Sequence, residues 1–258
     1  MHRYRLPRML AALAAVLLIP GHAGAREEPA GALRLIGGET AFYCFSASNP
    51  NEGGSAGMAC EIVKEMARRV GYTGTFETYP LARALVMAAN SPGILLAPVG
   101  RVAARENLYS WQVAIFEDDF VAVTRRDAAI DITSIEALRE LNIGVVRDGA
   151  AAHLAKEKDL SHLSLVANDD TNAKKLHAGR IDAWISTWNG IRAAQRAGGF
   201  GIDSLRRGVV LARVKAYLVS SRDLPPAVVA PWKAAFDEMV RDGSYEAILR
   251  KYQFETPR

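Results

Sequence analysis

The first half of the chain alternates short apolar runs with longer amphipathic stretches. From Met58 to Val70, apolar residues recur at steps of three and four, which predicts a helix that ends at Gly71. The run Ile94–Val99 is apolar without alternation, as expected for a strand that is buried on both faces. The same criteria predict strands at Leu33–Ile36 and Thr75–Thr78 and a helix at Leu81–Ala89.

The second half repeats the alternation of strands and helices. Ser134 is placed to cap the first of its helices. The predicted strands are Phe120–Thr124, Ile143–Val146, Ser164–Val166, Ile181–Ile185 and Tyr217–Ser220. The predicted helices are Ile135–Glu140, Gly149–Ala155, Asn172–His177, Gly190–Ala197, Ala227–Val240 and Tyr245–Tyr252. This order of elements indicates α/β architecture.

Two sets of strands and helices of similar size follow one another, joined near Phe120–Arg126, and the chain returns near Val214–Ser220. A chain that enters a second lobe and comes back forms a two-strand hinge, with a ligand cleft between the lobes. We therefore expect two α/β lobes, with lobe 1 over residues 26–122, lobe 2 over 123–214 and a return to lobe 1 over 215–258. Two contiguous domains would produce the same pattern.

The N-terminus has the organisation of an export signal. Arg3, Arg5 and Arg8 precede an apolar run of eleven residues from Met9 to Ile19, and Ala23–Ala25 is a small-residue cleavage site. A membrane anchor is the alternative, but spanning a bilayer needs about 20 apolar residues. We expect cleavage after Ala25 and a periplasmic or extracellular mature protein.

Composition is that of a globular protein, with 50% hydrophobic and 23% charged residues. The full chain carries 32 Lys and Arg against 28 Asp and Glu, a formal charge of +4. Because residues 1–25 hold three arginines and no acid, cleavage leaves 29 basic and 28 acidic side chains, or +1. This near-neutral balance gives no electrostatic reason to expect nucleic acid as a partner.

The two cysteines, Cys44 and Cys60, are sixteen residues apart in a chain predicted to reach an oxidising compartment. A disulfide between them would tie the loop that separates the first strand from the first helix. Two buried free thiols are the alternative, because the distance between the Cα atoms cannot be obtained from the sequence.

No catalytic or metal-binding signature stands out. The chain has no nucleophile elbow, no phosphate-binding loop and no HExxH motif, and His153, His162 and His177 lack the spacing of metal ligands. Adjacent side chains in a strand point to opposite faces, so spacing alone does not make Asp118-Asp119 a catalytic pair. We expect no metal and no cofactor, and nothing here requires an enzyme.

Two segments have the chemistry to bind an anion. Gly149 and Ala150 open a helix after a strand, where backbone N–H groups hold anions, although an ordinary strand–helix turn has the same sequence. Arg101 and Arg105 follow the apolar run Ile94–Val99, and an arginine at the carboxyl end of a strand can bind a carboxylate with two hydrogen bonds. A solvated or structural role is the alternative for each arginine.

Five segments together resemble the extracellular solute-binding proteins of family 3. The stretch Arg101–Trp111 is similar to the family's R-T-P-E-R-E stretch with its following aromatic and Trp, and Leu176–Ala183 is similar to L-x-x-G-R-I-D-A. The remaining similarities are Gly57–Ile62 at the start of a helix, Tyr79–Ala84 at the next helix, and Asp242–Tyr252 at the end of the chain. The resemblance spans residues 33–252, and its specificity lies in the order and spacing of the motifs.

The resemblance implies a periplasmic-binding-protein-like bilobal fold that closes on a small polar solute. By position in the motifs, Arg105 corresponds to the family's carboxylate-binding arginine, Glu39 to an acid after the first strand and Phe42 to an aromatic platform. Gly149 and Ala150 correspond to the backbone N–H groups of the second lobe, and Thr187 to a position where an Asp often holds the ligand's ammonium group.

Two departures from the family pattern affect the expected ligand. Ala150 lacks the usual hydroxyl group, and Thr187 lacks the carboxylate that would pair with an ammonium group. Glu39 is the one acid placed in the cleft from sequence. A small carboxylate-bearing solute is therefore better supported than an amino acid specifically. Aromatic residues that can form apolar cleft walls or pack in the core are Tyr43, Trp111, Trp184 and Trp188.

Three functions are consistent with this sequence. A monomeric periplasmic receptor would deliver an amino acid or related organic acid to the permease of an inner-membrane transporter. An enzyme on the same scaffold, similar to a cyclohexadienyl dehydratase, would need a general acid in the cleft. A sensor module would report to a membrane signalling partner. We expect the receptor.

Overall fold

A computed structural model describes residues 33–46 and 54–257. The signal peptide predicted over residues 1–25 lies outside the described residues. Within them the strands are β1 (Arg34–Glu39), β2 (Phe45–Ser46), β3 (Ser55–Ala56), β4 (Phe76–Pro80), β5 (Ile94–Gly100), β6 (Ser110–Arg125), β7 (Ile143–Val146), β8 (Leu163–Val166), β9 (Ala183–Thr187) and β10 (Leu205–Ser220). The helices are α1 (Met58–Arg69), α2 (Leu81–Asn90), α3 (Ile135–Leu138), α4 (Ala150–Glu157), α5 (Asp169–His177), α6 (Trp188–Ala197), α7 (Pro226–Asp242) and α8 (Ser244–Lys251).

Eight of the described strands form one sheet in the order β4-β1-β5-β10-β6-β9-β7-β8. β5 lies between β1 and β10 and is buried on both faces, which explains its continuous apolar run. The short α3 begins as expected, because Ser134 accepts a hydrogen bond from the amide of Ala137.

The two central strands, β6 and β10, are far longer than the sequence pattern predicts. Each has 16 residues, and they pair antiparallel from Ser110 opposite Ser220 to Arg125 opposite Leu205. The sequence pattern showed only the apolar parts of these strands, Phe120–Thr124 and Tyr217–Ser220. The remaining parts are rich in polar residues, but backbone pairing between strands does not depend on an apolar side chain at every position.

The molecule has two lobes, each packed around its own apolar residues. In lobe 1, β1, β4 and β5 are covered by α1, α2, α7 and α8, with buried side chains such as Ile62 and Trp232. In lobe 2, β7, β8 and β9 are covered by α3 to α6, with buried side chains such as Ile143 and Trp184. β6 and β10 contribute to both lobes. The boundaries at 122/123 and 214/215 stay a prediction.

A disulfide joins Cys44 to Cys60, with the two Cα atoms 5.0 Å apart. It attaches the start of α1 to the turn that follows β1, so the bridged alternative is the one that the structure contains. Gly57 precedes α1 with φ 109°, and a Cβ there would lie 2.7 Å from the carbonyl carbon of Tyr43. Only glycine fits this close approach without strain.

Candidate functional site

Residues of both lobes line a cavity of about 130 Å³. Lobe 1 contributes the end of β1, the turn after it and the end of β5, while lobe 2 contributes the starts of α4 and α5 and the end of β9. Residues of the central strands β6 and β10 also line the cavity. Its lining residues include Glu39, Tyr43, Arg105, Phe116, Asp118, Gly149, Ala150, Asp169, Ser186 and Thr187.

Arg105 is the buried cation of this cavity. It lies in a short helical turn after β5 and is only 4% exposed. Its guanidinium donates hydrogen bonds to the carbonyl oxygens of Gly100 at 3.2 Å and Asp148 at 2.6 Å. It forms no salt bridge within the described part of the chain. Because burial disfavours the charged form, the pKa of Arg105 is lowered.

The start of α4 lies beside Arg105, and Gly149, Ala150 and Ala151 line the cavity. Gly149 is the N-cap residue, and no side chain caps the helix. The first amides of a helix have no partner within the helix, and the helix dipole gives this end a partial positive charge. Arg105 and the start of α4 therefore make this part of the cavity favourable for an anion.

Tyr43 connects the two lobes across the cavity. Its hydroxyl oxygen lies 2.5 Å from Oδ2 of Asp118 on β6 and 2.8 Å from Oγ1 of Thr187 at the end of β9. Since a phenol has one proton, Tyr43 donates it to the carboxylate and accepts from Thr187. The ring of Tyr43 stacks on Phe116, with centroids 4.9 Å apart. Burial next to Asp118 raises the pKa of Tyr43 well above its usual value.

Asp118 is a buried carboxylate without a cationic partner among the described residues. Oδ2 accepts hydrogen bonds from Tyr43 and from the side-chain amide of Asn189 at 2.8 Å, and Oδ1 accepts from the backbone amide of Asp119 at 2.8 Å. Burial raises the pKa of Asp118 to about 6, although these hydrogen bonds counteract part of the rise. Asp118 therefore keeps its proton to a higher pH than an exposed aspartate does.

Asp169 places a second carboxylate at the cavity, in the first turn of α5. Its Oδ1 accepts from the indole N–H of Trp184 at 3.0 Å, and its Oδ2 accepts from the hydroxyl of Ser186 at 2.9 Å. Burial raises its pKa, and the hydrogen bonds oppose the rise. Asp118 and Asp169 form the acidic side of the cavity, and a cationic group bound beside them would favour their ionised forms.

The structure brings five of the predicted site residues to this cavity: Arg105, Glu39, Gly149, Ala150 and Thr187. Thr187 also caps α6, since its Oγ1 accepts from the amide of Gly190 at 3.2 Å. Glu39 accepts a hydrogen bond from the hydroxyl of Ser46. Their roles toward a ligand stay a prediction.

Three other predicted residues lie elsewhere. Phe42 packs on Tyr252 and Phe254 near the end of the chain, and its neighbour Tyr43 provides the aromatic face of the cavity. Arg101 is exposed and forms a salt bridge with Glu106, with its guanidinium over the ring of Trp111. Trp188 lies under Arg207 in a separate depression that Asp118 also lines.

Sequence reasoning missed both buried aspartates and placed Glu39 as the one acid of the cleft. Asp118 and Asp119 have different partners, since Asp118 accepts from Tyr43 and Asn189 and Asp119 pairs with Arg207 and Arg213. The sequence signal that could have identified Asp118 was an acidic run inside an otherwise apolar strand. For Asp169 no such signal existed, since acids are common in the first turn of any helix.

Across residues 33–46 and 54–257, no group of three or more His, Cys, Asp or Glu side chains is arranged to hold a metal ion. In the same ranges, no helix combines the length and apolar character needed to cross a membrane.

The comparison with known proteins depends on structure. No family model matches the chain, and no curated protein matches its sequence. A histidine kinase sensor domain with similarity to periplasmic binding proteins superposes with a TM-score of 0.75 at 18% identity, covering 89% of this chain and 99% of that one. The substrate-binding protein of an amino acid ABC transporter gives a TM-score of 0.69 at 13% identity, covering 86% and 99%.

A third solved structure is an ancestral amino acid-binding protein described as a precursor of cyclohexadienyl dehydratase. It gives a TM-score of 0.69 at 16% identity, covering 85% of this chain and 94% of that one. Identities this low carry information about the fold, whereas function depends on individual residues of the site. The chain therefore has the bilobal α/β fold of the periplasmic binding proteins.

Proposed function

We propose that this protein is an exported receptor that captures a small carboxylate-bearing solute between its lobes and delivers it to a membrane transporter. The observation that carries the proposal is Arg105, a buried guanidinium at the cavity that forms no salt bridge in the described residues. Burying a charge without a counter-charge is costly, so a site of this kind is completed by an anion.

The carboxylate of the solute binds Arg105 and the first amides of α4. Two carbonyl oxygens accept hydrogen bonds from the guanidinium of Arg105. Its other N–H groups are available to a ligand. The cavity volume of about 130 Å³ is suited to a solute the size of a small amino acid or organic acid. Lobe closure excludes water and strengthens the charge pair.

The acidic side of the cavity favours a solute that also carries an amino group. Asp118 and Asp169 lack cationic partners within the described ranges and can supply the negative charge that Thr187 does not. An amino acid satisfies both sides of the cavity, whereas a simple organic acid satisfies one. Amino acids and related organic acids are therefore the class to test first.

The test begins with a thermal-shift screen of amino acids and small carboxylates, because a bound ligand raises the melting temperature. Calorimetry with the strongest hit then compares Arg105→Ala with Arg101→Ala. Arg101 lies four residues away, is exposed and pairs with Glu106, so it is a matched control. We expect Arg105→Ala to weaken binding by about 2–5 kcal/mol and Arg101→Ala to leave binding unchanged. Equal affinities would remove Arg105 from the site.

Two further candidate functions have an observation in their favour. Asp118, with a pKa of about 6 and a hydrogen bond from Tyr43, is suited to general-acid chemistry, which supports an enzyme on this scaffold. Turnover of prephenate-like acids by the purified protein, lost in Asp118→Asn, would support the enzyme over the receptor.

The similarity to a sensor domain supports a signalling role, and uptake of labelled solute by cells lacking this protein distinguishes transport from signalling.

A further inference from the structure

The end of the chain contacts lobe 2 although α8, which precedes it, belongs to lobe 1. The carboxylate of Glu255 forms a salt bridge with Arg192 at 3.0 Å and accepts a hydrogen bond from the indole N–H of Trp188 at 2.6 Å. Arg192 also donates to the carbonyl oxygen of Gln253 at 3.1 Å. The first turn of α6 is therefore attached to the C-terminal segment by both side chains and backbone.

The buried side chain of Asn189 adds two hydrogen bonds to this attachment. Its side chain, in a residue only 1% exposed, accepts from the amide of Glu255 at 2.8 Å and donates to the carbonyl oxygen of Glu255 at 2.9 Å. The same side-chain amide donates to Oδ2 of Asp118 at 2.8 Å. One buried amide group thus joins the C-terminal segment to the carboxylate that Tyr43 contacts from lobe 1.

Aromatic packing holds the same segment on lobe 1. The ring of Phe254 stacks on Phe42 with centroids 6.4 Å apart, and its edge meets Phe116 at 5.8 Å. Phe42 has φ 71°, a left-handed conformation that is uncommon for a large side chain. Such strain persists only where surrounding contacts stabilise it, and Phe254 is one of these contacts.

We propose that residues 253–257 form a clasp between the lobes, a third connection in addition to β6 and β10, which holds lobe 2 against lobe 1. The clasp lines a depression together with Asp118, Asp119, Trp188 and Arg207. Asp118 lines both this depression and the cavity. Movement of lobe 2 away from lobe 1 must break the hydrogen bonds of Glu255 or pull Phe254 from its aromatic neighbours.

The test measures the resting arrangement of the lobes with no solute added, so its outcome does not depend on the proposed function. The mature chain is compared with a chain that stops after Tyr252 and with Glu255→Ala. Lys251→Ala is the matched control, because it removes an ion pair with Glu61 of 2.7 Å that stays within lobe 1. Small-angle scattering gives the radius of gyration, and amide hydrogen exchange reports on residues 188–192.

We expect the shortened chain to have a larger radius of gyration and about ten-fold faster exchange at residues 188–192, since several hydrogen bonds are lost together. Glu255→Ala removes a partly exposed ion pair and should accelerate exchange about two- to five-fold. Lys251→Ala should behave as the unaltered chain.

The proposal is overturned if the shortened chain keeps both the radius and the protection of the full chain. Should the shortened chain fail to fold, Glu255→Ala decides alone: no difference from Lys251→Ala rejects the clasp. Faster exchange in Glu255→Ala and not in Lys251→Ala supports it.

Discussion

Asp118→Asn isolates the effect of a single buried carboxylate on stability. Asparagine has nearly the same shape but cannot ionise, so the variant removes the titration and keeps most of the packing. It also changes the hydrogen bonds of the site, because its NH₂ group meets either the amide of Asp119 or the donors at Oδ2. That cost is the same at every pH. The informative quantity is therefore the difference in unfolding free energy between the two proteins as a function of pH.

The structure fixes the sign and size of the pH dependence. The pKa of Asp118 is raised from 3.8 to about 6, so the folded state binds the proton more tightly than the unfolded state does. Its stabilising contribution is complete below pH 3.8 and is lost as the pH rises through 6. At about 1.4 kcal/mol per pKa unit, the total is about 2–3 kcal/mol, most of which falls between pH 4 and pH 8.

Urea unfolding of both proteins at intervals between pH 4 and pH 8 measures this difference. We expect the unaltered protein to lose about 2–3 kcal/mol relative to Asp118→Asn over that range. Glu65→Gln is the control, because ion pairs with Arg68 and Arg69 lower the pKa of Glu65 to about 2. The difference in unfolding free energy between Glu65→Gln and the unaltered protein should therefore stay constant from pH 6 to pH 8. A pH-independent difference for Asp118→Asn would refute the argument that burial perturbs this carboxyl group.

Three further substitutions test the neighbourhood of the site. Tyr43→Phe removes a hydrogen bond to a buried carboxylate and should cost about 1–3 kcal/mol in urea unfolding, while the pKa of Asp118 rises further because a stabilising donor is lost. Replacing both Cys44 and Cys60 by Ser opens a sixteen-residue loop and should cost about 3 kcal/mol, measured against the oxidised protein. Gly57→Ala forces a Cβ against the carbonyl of Tyr43 and should lower the melting temperature by calorimetry by several degrees.

The sequence alone determined most of the local structure of this protein. The spacing of apolar residues located α1 to within a residue, and the unbroken apolar run of β5 identified a strand that is buried on both faces. Each of these features depends on residues a few positions apart, where one helical turn or one strand sets the pattern. Arg105 was also predicted from sequence as a residue of the cleft, because it follows a buried strand within a recognisable motif.

The site itself depends on contacts between residues that are distant in the chain. Tyr43 and Thr187 are 144 residues apart, Asp118 and Asn189 are 71 apart, and Asn189 and Glu255 are 66 apart. No periodicity connects such pairs, since their meeting depends on how two lobes pack on the shared strands β6 and β10. The tertiary structure therefore decided which acids face the cavity and where the end of the chain binds, because burial and partner choice are properties of packing rather than of local spacing.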